Sequence, residues 1–217
     1  MKMTSSIAAI AISSTLLVST IANAHDDHEP LTLMSSAFAD GDSLPIRFTC
    51  DGERISPPLS WRGIPEGTES LVVIMDHMPS HKPKPDEVRH TENPSPPLQT
   101  ATTPKLRAPE GLRWYWGMYN ISAQISGVMA GESAGTLGNN VVNNRNEYTP
   151  PCSKGPGEKS YTFHLYALSA SLEIIPSDNN VSEAVLRKSM DGLVLDSDSL
   201  TVNFERRYST SSKNHIE

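Results

Sequence analysis

The sequence predicts a mainly β protein with few helices, and three observations carry that expectation. Leu71-Val72-Val73-Ile74-Met75 is a short unbroken apolar run between turn-type residues, the pattern of a strand buried on both faces. Tyr161 to Leu168 and Leu200 to Phe204 have period-two or aromatic and β-branched character. Only one segment, following Asn180, carries a full set of helix signals.

Taken in chain order, residues 1–24 fall outside the fold. Lys2, the apolar stretch Ile7 to Ile21 and the small residues Ala22-Asn23-Ala24 together predict a secretory signal peptide cut before His25. The apolar stretch is shorter than the ~20 residues a spanning helix requires. No Cys follows the cut, which argues against lipid anchoring. Residues 25–30 form a flexible start and 31–208 a single domain, with a polar tail at 209–217.

Within that domain, Asp51-Gly52 reads as a turn. Pro57-Pro58 then stiffens an extended segment that runs to Trp61, a rigid wall able to line a pocket. The apolar run at Leu71 ends in Asp76-His77. From Pro79 to Pro109 eight of the chain's 17 prolines interrupt polar sequence, which predicts a long surface insertion. Trp114 to Ile121 reads as an aromatic strand with Trp114, Trp116 and Met118 on one face and Tyr115, Gly117 and Tyr119 on the other. Asn139 to Asn146 is a loop leading to Tyr148. In the helix, Asn180 or Ser182 is the cap, Val181, Ala184 and Val185 the apolar stripe, and Gly192 the stop.

Charge narrows the function classes. The chain carries a formal net charge of −7, one unit more negative once Lys2 is removed, and Arg206-Arg207 is its densest basic patch. Nucleic acid and anionic membrane surfaces reward clustered Lys and Arg, so neither is an expected partner. Cys50 and Cys152 are the only cysteines; export favours a disulfide, the alternative being two buried thiols.

Several chemistry-bearing groups compete. Gly131-Glu132-Ser133-Ala134-Gly135 fits the G-x-S-x-G elbow of a hydrolase, but Thr136-Leu137-Gly138-Asn139-Asn140 after it is loop rather than helix, and only His164 and His215 lie downstream. His25, Asp26, Asp27 and His28 crowd an unanchored end, while His77, His81 and His90 lack zinc-site spacing, so no metal and no cofactor is expected. Asp76-His77 stands at a strand end, where a carboxylate can hold an imidazole protonated for an anion, or where Asp76 can simply cap a turn.

Five segments in order resemble the phosphatidylethanolamine-binding protein family, in its bacterial Raf-kinase-inhibitor-like (YbhB/YbcL) branch. They are Cys50-Asp51-Gly52 through Ser56-Pro57-Pro58-Leu59 to Trp61; Leu71 to Pro79; Tyr115-Trp116 to Asn120-Ile121; Tyr148 to Cys152; and Tyr161, Phe163 and Tyr166-Ala167-Leu168. The resemblance spans Leu31 to Tyr208. It implies a large antiparallel sheet packed on a smaller sheet with few peripheral helices, and a pocket for a phosphate or phosphoryl headgroup.

Carried over by position, the ligand-binding set is Asp76, Tyr115, Tyr148, Pro150 and Pro151, supported by Pro57, Pro58 and Trp116. The chain departs from the family pattern at three places. One Asp of the acidic turn is missing, the pocket His is Tyr115, and a later His is Lys159. His77 is read as taking over the imidazole's role, with Lys159 adding positive charge. The expected function is an exported, periplasmic or secreted binding protein without catalysis. The alternatives are a modulator that contacts a protein partner through the pocket rim and the Pro-rich insertion, and more remotely a hydrolase.

Overall fold

The computed structural model describes residues 29–79, 111–153, 155, 157–174 and 181–206. The predicted signal peptide, the insertion beyond Pro79 and the tail lie outside the described residues. Among the described residues, eight strands form two antiparallel sheets. The large sheet has the order β6 (Thr136–Leu137), β4 (Arg113–Ser122), β3 (Ser70–His77), β7 (Lys159–Leu168), β8 (Val194–Phe204). The small sheet has the order β1 (Thr32–Met34), β2 (Leu59–Arg62), β5 (Gly127–Val128). Among the described residues one α-helix, α1 (Glu183–Ser189), lies on the outer face of the large sheet.

β3 is the middle strand, and all eight of its residues are buried, as a continuous apolar run predicts for a strand covered on both faces. Its side chains alternate between two cores. Leu71, Val73 and Met75 face the small sheet, where Trp61, Trp116, Phe163 and Val202 complete an inter-sheet core. Val72 and Ile74 face outward onto Tyr166, Leu168, Leu186 and Met190, beneath α1.

β4 departs from the alternation predicted for it. Met75 pairs with Trp116 but Asp76 pairs with Trp114, so Tyr115 is an extra residue, a β-bulge. Tyr115 and Trp116 consequently both join the inter-sheet core, while Trp114 belongs to the outer one. The Trp114 ring lies over Gly117 and Gly138. A Cβ on Gly117 would stand 1.8 Å from it and one on Gly138 2.5 Å, so both positions accept only glycine beside that indole.

The sheets are held together by more than apolar contact. On β8, Asp198 Oδ2 accepts the Leu33 amide at 2.7 Å and Asp196 Oδ2 accepts the Leu31 amide at 3.2 Å. Cys50 and Cys152 form the disulfide, 102 residues apart in sequence with Cα atoms separated by 5.2 Å. Ser182 caps α1 by accepting the Val185 amide. Glu183, Leu186, Arg187 and the C-cap Met190 are buried, while Ala184 and Val185 of the expected stripe are exposed. Ionic residues occupy two of the inward positions, and a stripe sought by hydrophobicity misses them.

Candidate anion-binding site

The site forms where β3, β4 and β7 end together. There, a pocket of about 380 Å³ is lined by His77 from β3, by Arg113 and Tyr115 from β4, and by Lys159 and Tyr161 from β7. Thr149, Pro150, Cys152 and Ser153 supply the opposite wall. The bulge turns Tyr115 toward this end. Lys159 and Tyr161 share one side of β7 because they are two residues apart.

Each wall is fixed by local bonds. His77 Nδ1 lies 2.7 Å from the Ser160 carbonyl, and its ring stacks on Tyr161 at 4.9 Å between centroids. Tyr115 stands edge-on to both, 5.2 Å from Tyr161 and 6.4 Å from His77. The Thr149 amide donates to the Tyr115 carbonyl and the Cys50 amide to the Pro151 carbonyl, each at 3.0 Å. Arg206 reaches the same corner, with Nη2 2.6 Å from Asp51 Oδ1. Upstream, Asn140 organises the approach loop by accepting the Val142 and Asn143 amides and donating to the Arg145 and Glu147 carbonyls.

Electrostatically the pocket is basic, with Arg113, Lys159 and the His77 imidazole on its lining. Burial first, and then the neighbouring Tyr115 phenol, raise the pKa of Tyr161 far above its ordinary value, so it remains a neutral donor. The Thr149 hydroxyl is buried and has no hydrogen-bond partner among the described residues. Buried polar groups are almost always paired, and an orphan costs ~1–3 kcal/mol.

Of the residues expected at the site, the structure brings together His77, Tyr115, Pro150 and Lys159. Asp76 is not with them. β3 continues two residues beyond Met75, so alternation sends Asp76 to the face opposite His77. There its Oδ2 lies 3.0 Å from Arg187 Nη2 and 3.1 Å from His164 Nε2. Arg187 also bonds Glu183 at 2.7 Å and the Tyr166 hydroxyl at 3.2 Å. Asp76 therefore anchors α1 to the sheet.

Tyr148 also stands back from the pocket. Its hydroxyl donates to the Phe48 carbonyl at 2.7 Å and its ring meets Trp116 edge-on; burial, then Tyr161, raise its pKa. Pro151 is buried behind Pro150 and Trp116 lies in the inter-sheet core. Pro57 is buried, and Pro58 lines a separate groove beside β2 and β5. None of these five is in the pocket lining.

Arg113, Thr149 and Tyr161 went unrecognised. A period-two reading outward from Lys159 finds Tyr161, and nothing local marks Thr149. Ser133 sits in an exposed turn between the two-residue strands β5 and β6, without the strand-to-helix context of a nucleophile elbow. Among the described residues, no group of three or more His, Cys, Asp or Glu side chains is placed to hold a metal ion.

A two-sheet antiparallel β fold carries a basic pocket at one end of its central strands. The family model described as phosphatidylethanolamine-binding protein matches residues 34–205, and the chain belongs to that family. It is 32% identical over 171 residues to a UPF0098 protein of Methanothermobacter thermautotrophicus, covering 76% of this chain and 92% of that one. It is 31% identical over 159 residues to LppC of Mycobacterium tuberculosis, named as a candidate lipoprotein, covering 72% of this chain and 64% of that one.

Among solved structures it is similar to CT736 of Chlamydia trachomatis, described as a candidate phosphatidylethanolamine-binding protein homologue. The TM-score is 0.63 at 27% identity, over 82% of this chain and 99% of that one. Escherichia coli YbcL shares the fold at a TM-score of 0.60 and 21% identity, over 82% of this chain and all of that one.

Proposed function

We propose that this chain is an exported binding protein that holds a small oxyanion, a phosphate or phosphoryl headgroup, in the pocket between His77, Arg113, Lys159 and Thr149, without turning it over. The observation that carries the reading is a pocket lining that holds Arg113, Lys159 and His77 and, among the described residues, no carboxylate. An oxyanion supplies negative charge for Arg113 and Lys159 and further lone pairs for the phenols beside them. Family membership supports the reading, and Ser133 lies outside the pocket lining.

Export rests on the signal-peptide pattern at 1–24 and is supported by the disulfide, which persists in oxidising compartments. Titration with inorganic phosphate and phosphoethanolamine tests the binding reading. A ligand that binds only the native state raises the melting temperature, and Arg113→Ala with Lys159→Ala should abolish the rise. No stabilisation of the native protein by either compound overturns it.

A further inference from the structure

We propose that oxyanion capture in this pocket is coupled to uptake of one proton by His77. The inference rests on the pocket being an anion site and names how that site is regulated. The ring is buried, and its Nδ1 lies 2.7 Å from the Ser160 carbonyl oxygen. A carbonyl only accepts, so Nδ1 must carry the hydrogen. A neutral ring with its hydrogen on Nδ1 has only a lone pair at Nε2, which repels an oxyanion. The imidazolium has a hydrogen at Nε2 and can donate it. The same side chain is thus an obstacle in one protonation state and a ligand in the other.

The groups around His77 make the two events interdependent. From β7, Tyr161 stacks on the ring and Lys159 lines the same pocket; from β4, Tyr115 stands edge-on and Arg113 completes the mouth. A dianion bound in the same pocket favours the imidazolium. Asp76, the adjacent residue, offers no compensating charge because it faces Arg187 and His164 across the sheet. The ligand class is a terminal oxyanion, such as sulfate or a phosphate monoester, whose negative charge can satisfy Arg113, Lys159 and protonated His77 at once.

Sulfate is the probe of choice because it stays a dianion throughout the range, about pH 5 to 8, in which imidazole side chains change charge. Calorimetric titration of the native protein, repeated in buffers of different ionisation enthalpy, counts the protons taken up. The expected result is net uptake of up to about one proton per sulfate, with affinity rising by at most about tenfold per pH unit as pH falls through the range in which imidazole side chains change charge. His77→Gln should bind sulfate with little dependence on pH. Sulfate binding by the native protein without proton uptake overturns the inference and leaves the anion site standing, as does an unchanged pH dependence in His77→Gln. Absence of both sulfate and phosphate binding at every pH overturns the site itself.

Discussion

Two buried polar residues with opposite assignments make the site testable at the level of single side chains. Thr149→Val removes an orphan hydroxyl while keeping its shape, so stability should change by less than about 1 kcal/mol or improve, because nothing loses a partner. Phosphate affinity, measured by calorimetry, should fall. Asp76→Asn should do the reverse. It weakens a buried contact to Arg187 and His164, with the Asp76 side chain only 7% exposed. Removing one member of such a pair typically costs ~3–5 kcal/mol. Denaturant unfolding should show that loss while phosphate binding by the folded protein stays within about twofold of the parent. The contrast also marks where sequence reading stopped. Asp76 and His77 are neighbours in the chain, and a strand that stops at Met75 groups them together. Two more extended residues place them on opposite faces, a consequence of the period-two rule that needed only the correct strand end.

At the level of elements, the strands with long apolar runs were legible and the polar ones were not. β3, β4 and β7 announce themselves by composition, whereas the first half of β8, Val194-Leu195-Asp196-Ser197-Asp198-Ser199, reads as solvated loop. Its carboxylates are there to accept amides from the segment containing β1, an arrangement no local pattern announces. The β4 bulge is equally silent, since an extra residue shows only in the pairing. α1 was recognised from its cap, yet its buried face is half ionic. Burial raises the pKa of Glu183 despite Arg187 beside it. The sign follows directly: a carboxyl whose folded pKa lies above its unfolded value is penalised when ionised and relieved as pH falls through that interval. The stability difference between the native protein and Glu183→Gln should therefore shift in favour of the native protein as pH is lowered from about 7 toward about 4. Denaturation midpoints at fixed pH values will show it.

Across the whole molecule, the pocket depends on contacts between segments far apart in sequence, which is why the five-part resemblance revealed the site's neighbourhood while its exact lining needed coordinates. The Cys50–Cys152 bond spans 102 residues. In the chain-entropy account a loop of this size contributes ~4.7 kcal/mol. Cys50→Ser with Cys152→Ser should lower the denaturation midpoint accordingly. It should also weaken phosphate binding, because Cys152 belongs to the lining and the neighbouring Pro151 carbonyl holds the Cys50 amide. The growth host thereby becomes an experimental variable. Material harvested from a thiol-rich cytosol would arrive with its two sulfurs apart, and should titrate with phosphate more weakly than the same protein refolded under oxidant.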